Sequence, residues 1–397
     1  MISASCSPGK DSQERKEKMA AKKIDHIFNS LFESQDPGAA VLILINDSIV
    51  YQKGFGMARL DTMEPIDMNT SFNICSISKQ FSTVALMKLA EQGLISLDDK
   101  MVKYFPNLSQ PCFKDITLRH LLSHTSGMPD NRPYTEEDWQ EYRKKHDSKF
   151  NNIRDFRLFS EEDENLLYLE DIDSLNFEPG TQYEYMNPTY QMVLSIVEQV
   201  TGKDFDDWMR DNVFLPAGMK NTVYLNAGKD IPNAAYAYDI AEGENIYGYF
   251  RSNDGKWEKS DYGEANYFPT KADGGIYTTP LDFVNWYISL RDGKVISEKS
   301  VKEAQTGKIQ TDIPYTQYGY GWFIEQRPDR PEKIYHTGDN GGFHTFEGFY
   351  PDNNLFYLIF SNRPDWDREE TVEKMDKVFE EARWLCKGQS EKKEDNK

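Results

Sequence analysis

Ala39-Ala40-Val41-Leu42-Ile43-Leu44-Ile45 is an unbroken apolar run, and Asn46-Asp47 leads from it into Ser48-Ile49-Val50-Tyr51-Gln52. Two strands about a short turn, a β-hairpin, fit this pattern. Phe81 to Ala90 is apolar almost throughout and stops at Gly93, the pattern of a buried helix closed by a C-terminal glycine. Ile116–Leu122 predicts another helix with a Thr start, Pro188–Val200 one that ends at Gly202, Phe205–Val213 a shorter one, and Leu281–Leu290 one that follows Gly274-Gly275. Strand-like runs return at Tyr318–Ile324, Gly342–Tyr350 and Leu355–Phe360, before a last helix over about 368–387. Residues 130–175 are strongly charged and read as a helical, surface-exposed excursion; residues 233–268 are rich in tyrosines and turn residues, with weak periodicity. Residues 7–23 read as a polar tail or a frayed helix. Strands near both ends with helices between them predict an α+β fold, in which one sheet is assembled from the two chain ends and a helical region is inserted. The expected layout is a tail over 1–23, a domain over 24–388 and a charged tail over 389–397. Within the domain, the sheet region takes about 24–74 and 270–388, the helical region about 75–225.

Charge narrows the partners. Against 46 Lys and Arg stand 66 Asp and Glu, a net charge of −20 that excludes a nucleic-acid or anionic-membrane binder, because phosphate contacts need clustered cations. No run of 18 apolar residues occurs, so no transmembrane helix is encoded. Cys6, Cys75, Cys112 and Cys386 are scattered without zinc-ligand spacing, which points to neither a disulfide framework nor a metal site, and Cys75 reads as a small buried residue. Met1-Ile2-Ser3-Ala4-Ser5-Cys6 matches the end of a lipoprotein signal, with Cys6 as the lipidated position. No apolar stretch stands before it, so the segment reads first as a polar leader, and a lipid anchor at Cys6 is the weaker alternative.

The chemistry concentrates at Ser76-Ile77-Ser78-Lys79. A serine hydroxyl is a poor nucleophile until a base takes its proton, and a lysine three residues on at a helix start reaches that hydroxyl. Ser7-Pro8-Gly9-Lys10 and Ser390-Glu391-Lys392-Lys393 share the spacing, but they sit in hydrophilic tails; only Ser76 opens an apolar helix. Tyr185-Met186-Asn187 lies on a loop before a helix. Its phenol, with an ordinary pKa of about 10, becomes a base only beside a cation, which Lys79 supplies. His336-Thr337-Gly338 runs toward the glycine-rich turn Asp339-Asn340-Gly341-Gly342, where small residues let an extended substrate lie along a strand edge. Leu121 to Pro129, with Ser123-His124-Thr125-Ser126-Gly127, completes the set.

In their order and context these motifs resemble the penicillin-recognising serine hydrolases, in particular the class C β-lactamase-related branch of β-lactamases, D-alanyl-D-alanine carboxypeptidases, D-amino-acid peptidases and esterases. The resemblance runs over most of residues 30–365 and includes Phe72–Gln80, Ile116–Pro129, Pro179–Asn187, Gly274–Thr279 and His336-Thr337-Gly338. It implies a β-lactamase/transpeptidase-like fold: an antiparallel sheet flanked by helices, a mostly helical second region, and a site between them. It also implies acylation of Ser76, proton transfers shared by Lys79 and Tyr185, Asn187 orienting Lys79 or a substrate amide, and an oxyanion hole from the backbone N–H groups of Ser76 and Asp339. His336, Thr337 and Gly338 would bind substrate, a small molecule or peptide, with no cofactor. The family and the lipoprotein reading of Cys6 point to the cell envelope or periplasm, with a cytoplasmic location as the alternative.

One departure redirects the substrate. Many members have Lys where this chain has His336, and an imidazole near ~6.5 is mostly neutral at pH 7. A grip on the carboxylate of penicillins is weakened, so peptidase, amidase or esterase activity is expected over β-lactamase activity. Ile172-Asp173-Ser174-Leu175-Asn176 does not supply a class A deacylating glutamate. Three rivals stand against this reading. A non-catalytic penicillin-binding or sensor protein that keeps the fold is countered by the intact Ser76, Lys79 and Tyr185. A metal hydrolase using His120 and His124 at i, i+4 lacks the intervening Glu of the zinc-protease motif. A Ser-His-Asp hydrolase lacks a Gly-x-Ser-x-Gly elbow.

Overall fold

The computed structural model describes residues 10–224, 226, 230–240, 254–260 and 270–385. Its centre is an eight-stranded sheet in the order Ile309–Gln310, Thr316–Tyr318, Phe323–Glu325, Lys333–Asn340, Phe343–Tyr350, Leu355–Ser361, Ala39–Ile45 and Ser48–Phe55. Every neighbouring pair is antiparallel. The two ends of the chain meet where Ala39–Ile45 pairs with Leu355–Ser361.

These two strands are apolar at every position but Ser361 because both faces of the sheet are covered, and strand side chains alternate between faces. Val41, Ile43, Tyr357 and Ile359 pack with Ile24 and Phe28 of the helix Lys10–Asn29 and with Met375 and Phe379 of the helix Arg368–Ala382. Leu42, Leu44, Phe356, Leu358 and Phe360 face the helical region. Each such side chain taken fully out of water contributes roughly 1.5–3 kcal/mol. The hairpin turns on Asn46 and Asp47, whose φ of 48° and 65° are the left-handed values of a type I′ turn, with Ile45 opposite Ser48.

The structure departs from the pattern reading in three places. Residues 10–29 form one helix whose Ala20 and Ile24 are buried on the sheet, although the polar text of 7–23 also fits a tail. Tyr318–Ile324 is not one strand but a hairpin, with Tyr318 opposite Phe323. Gly321 turns it at φ +83°, where a Cβ would lie 3.0 Å from the Lys79 carbonyl oxygen and 2.9 Å from Thr83 Oγ1. Alternation cannot reveal a turn set by packing against a distant helix. The charged 130–175 excursion is helical, with Glu136–Lys145, Ile153–Phe159 and Glu162–Leu166, but it is not merely a surface. It closes around Trp139, Phe156 and Tyr168 and presents Arg132, Tyr134 and Asn165 to the cavity beside Ser76.

The helix Lys79–Glu91 is buried on nearly all sides and ends before Gly93, in the left-handed region at φ +71°. It packs against Asn187–Thr201, which closes on Gly202. Of the tyrosines in 233–268, Tyr236 precedes and Tyr238 opens a short strand, Tyr238–Ile240, that pairs antiparallel with Trp257–Lys259. Tyr247, Tyr249, Tyr262 and Tyr267, like Cys6 and Cys386, lie outside the described residues.

Candidate active site

Ser76 sits in a tight 3-10 turn, Cys75–Ser78, that runs straight into the helix beginning at Lys79. In such a turn, residues three apart are eclipsed, which stacks the lysine over the serine. Cys75 enters the turn at φ +53°, a strained value for a residue with a side chain, and its N–H donates to Asn73 Oδ1 at 2.8 Å. Gly338 makes the docking possible. A Cβ there would lie 2.4 Å from Thr345 Oγ1, 2.5 Å from the Ile74 carbonyl oxygen and 2.8 Å from Cys75 Cβ. The glycine of His336-Thr337-Gly338 therefore lets the serine turn press against the strand.

Lys79 Nζ donates to Ser76 Oγ at 3.0 Å and to the Asp273 carbonyl oxygen at 2.8 Å. The ammonium is fully buried, and burial pulls its pKa down to about 8 against the opposing pull of Asp273. The Asp273 carbonyl is itself held in place: Ala272 N–H donates to Glu162 Oε1 at 3.3 Å, Lys271 N–H donates to the same oxygen, and Ser82 Oγ donates to the Ala272 carbonyl at 2.5 Å. Glu162 is buried, and burial pushes its carboxyl up to about 8.

Tyr185 lies over the same pair, its ring centre 5.1 Å from Lys79 Nζ and its phenol in hydrogen-bonding reach of Ser76. The residue keeps 37% of its surface in solvent, yet burial of the hydroxyl end holds the phenol well above its usual range, with the Ser76 contact pulling the other way. Proximity of Lys79 does not turn it into a resting phenolate. His124 supports the loop from below. Its ring lies 4.2 Å from that of Tyr185, its Nδ1 accepts the Met186 N–H at 3.1 Å, and its carbonyl accepts the Glu184 N–H at 2.9 Å. His120 has a different task, since its Nδ1 accepts the Thr117 N–H at 3.2 Å at a helix start. The helix Leu118–Leu122 ends before His124, which sits at φ +56°, so the i, i+4 spacing does not put both rings on one helical face. Among the described residues, no cluster of His, Cys, Asp or Glu has metal-binding geometry.

Ser76, Asn187, Asp273, Asp339 and Asn340 line one cavity of about 250 Å³ together with Arg132. Asn187 opens its helix, and its Oδ1 is buried without a hydrogen-bond partner among the described residues. Of the two roles expected of Asn187, orienting Lys79 or a substrate amide, the contact with Lys79 is taken among the described residues by the Asp273 carbonyl. His336, Thr337 and Gly338 do not line this cavity. His336 is buried beneath it; its Nε2 accepts from the Tyr318 hydroxyl at 3.1 Å, and its Nδ1 donates to the Thr337 carbonyl at 2.6 Å. Burial, with Lys79 nearby, pushes this imidazole down to about 3, so it is neutral at any working pH. Beyond Tyr335 the strand is paired on one side only, because Phe323–Glu325 ends opposite residues 333–335. Asp339, whose side chain is more than half exposed, pairs with Arg368 at 3.0 Å and with His344, and these partners hold its carboxyl down at about 2 against the desolvation of its surroundings.

Sequence reasoning missed Asp273, Glu162 and the supporting role of His124. Asp273 stands immediately before Gly274-Gly275, and its contribution is a backbone carbonyl, which residue identity does not announce. Glu162 hides in a charged stretch where nothing marks it as buried.

Comparison with known proteins agrees with this fold. A family model described as Beta-lactamase matches residues 20–378. A penicillin-binding protein of Bacillus subtilis is 25% identical over 376 residues, covering 93% of this chain and 76% of the relative. Protein flp of Staphylococcus aureus is 24% identical over 348 residues, which is 86% of this chain and 63% of that protein. Among solved structures, an octameric penicillin-binding protein homologue from Pyrococcus abyssi superposes with a TM-score of 0.72 at 22% identity, over 92% of this chain and 76% of that one. A penicillin-binding protein from Bacillus halodurans gives 0.70 at 22% identity, over 90% and 99%. With the model match spanning both halves of the sheet and the helices between them, the chain belongs to the Beta-lactamase family.

Proposed function

We propose that this chain is a serine hydrolase that works through an acyl-enzyme on an amide or ester carbonyl, as a peptidase, amidase or esterase rather than an efficient β-lactamase. The observation that carries the reading is the 3.0 Å contact between Ser76 Oγ and a fully buried Lys79 whose pKa lies at about 8. A lysine so placed is a base at neutral pH, which an exposed lysine is not. Ser76 Oγ attacks the carbonyl carbon while its proton passes to neutral Lys79. The tetrahedral oxyanion accepts hydrogen bonds from the Ser76 and Asp339 backbone N–H groups. The bond to the leaving group then breaks as that group takes a proton relayed through Lys79 and Tyr185. Water hydrolyses the ester, and Ser76 regains its proton. Tyr185 serves this scheme as a protonated phenol that donates and is refilled.

Asn187 Oδ1, without a partner of its own, is available to a substrate N–H, and the unpaired side of residues 336–340 is available to an extended peptide. Neutral His336 offers no cation to a penicillin carboxylate, which favours the non-lactamase substrates. Residence at the cell envelope or periplasm belongs to the same reading.

Intact-mass analysis after exposure to a serine-directed phosphonate, to p-nitrophenyl esters and D-amino-acid amides, and to a penicillin tests this directly. A phosphonate adduct that disappears in Ser76→Ala, together with ester or amide turnover, is expected. Absence of both adduct and turnover overturns the enzyme reading, and fast nitrocefin hydrolysis overturns the substrate preference.

A further inference from the structure

A second cavity of about 570 Å³ lies between the helix Pro280–Arg291, the helix Glu298–Ala304 and the helix-bearing face of the sheet. It shares no lining residue with the Ser76 cavity and has the volume of a small-molecule site. Its walls are aromatic, from Trp286, Tyr287, Trp322 and Phe349, and Gln80 and Glu347 add polar groups. Glu347 is 2% exposed. Its carboxyl accepts from Gln80 Nε2 at 2.5 Å, and Gln80 Oε1 is taken by Trp286 Nε1 at 3.2 Å. The amide is therefore committed, and Glu347 is the most deeply buried acidic residue of the lining. The mouth does not discriminate by sign, since Arg291 and Lys302 stand beside Glu298 and Glu332.

We propose that this cavity is a second ligand site, separate from the Ser76 pocket, that takes an arylalkylamine with its ring among the aromatic walls and its ammonium on Glu347. Both halves of the recognition follow from general chemistry. Aromatic faces attract a cation as well as an apolar ring, and a buried carboxyl is stabilised when a cation arrives to pair with it. Burial pushes the carboxyl up to about 8 against hydrogen bonds from Gln80 and the His336 backbone, and an arriving ammonium would favour its ionised form, the proton leaving to solvent. The site bears on the catalytic side through position alone: Gln80 follows Lys79 in the helix, and Glu347 stands opposite His336 in the strand register.

Isothermal titration calorimetry with phenethylamine and with its neutral analogue 2-phenylethanol tests the assignment on the full chain. Phenethylamine is expected to bind at least tenfold more tightly. The preference should vanish in Glu347→Gln, which keeps the shape of the side chain, and persist in Ser76→Ala, which alters only the other pocket. No binding of either compound, equal binding of both, or a preference that survives Glu347→Gln or is lost in Ser76→Ala overturns the proposal. The comparison of amine with alcohol on the unaltered protein decides the matter even where Glu347→Gln fails to fold.

Discussion

Replacing Lys79 tests the proposed chemistry and the packing at once. With its pKa at about 8, about one tenth of the lysine is neutral at pH 7. An unperturbed lysine near 10.5 would be neutral to roughly 0.03%. Burial therefore supplies about a 300-fold gain in available base. The same burial opposes folding. A lysine whose folded pKa lies below its unfolded value binds fewer protons when folded, so stability rises with pH between the two values, here from about 8 toward the model value of 10.5. Below pH 8 the full penalty applies, about 3 kcal/mol from the size of the shift. The bonds to Ser76 Oγ and the Asp273 carbonyl offset it by about 1 kcal/mol each. Lys79→Met should therefore be more stable than the parent at pH 7 by about 1–3 kcal/mol, by urea denaturation, with the difference shrinking toward pH 10. Its kcat/KM on a p-nitrophenyl ester should fall by about 10²–10⁴. For the parent, kcat/KM should climb about tenfold per pH unit from 6 to 7.5 and level off above 8. A profile flat down to pH 6, or a variant less stable than the parent, would refute the buried neutral base.

Further predictions follow from neighbouring groups. Tyr185→Phe removes the phenol while leaving the ring over Lys79, so phosphonate labelling of Ser76 should persist while kcat on esters drops by about 10². Gly338→Ala places a methyl 2.5 Å from the Ile74 carbonyl oxygen and should cost about 1–3 kcal/mol by thermal denaturation, with slower labelling because the Ser76 turn is displaced. Glu162→Ala frees the Lys271 and Ala272 amides behind the Asp273 carbonyl. It should lower kcat more than it raises KM and move the midpoint of the pH profile away from 8, with Glu162→Gln restoring most of the loss. His336→Gln should leave the ester pH profile unchanged between pH 5 and 9, because an imidazole held at about 3 does not titrate there.

What could be read from the chain was whatever depends on near neighbours in sequence. The Asn46-Asp47 hairpin, the helix stops at Gly93 and Gly202 and the Ser76-to-Lys79 spacing are local, and each appears where its pattern places it. The two ends of the chain could be assigned to one sheet because apolar runs at both ends have no other way to bury two faces. Contacts between distant segments were not legible. Gly321 and Gly338 each clear a path for the backbone around Ser76 and Lys79, from more than 240 positions away, and no periodicity registers that.

His336 carries the consequence for substrate choice. Sequence reasoning treats it as a weaker cation in the position of a lysine, a difference of degree. In the structure it is a buried neutral ring under Tyr318, which leaves no cation there to grip an anionic substrate. Nor does a guanidinium of the cavity replace it, because Arg132 is bound by two hydrogen bonds, 2.8 and 2.6 Å, to Asp130, and Arg157 donates to the Tyr134 carbonyl at 3.4 Å. A neutral ester or an internal peptide bond needs no such cation and loses nothing by its absence, whereas a penicillin would leave its carboxylate facing a committed arginine. On the proposed reading, substrate preference would be set by desolvation of one histidine and by the prior engagement of the cavity's arginines, with the Ser76 and Lys79 pair left free to serve any carbonyl the cavity admits.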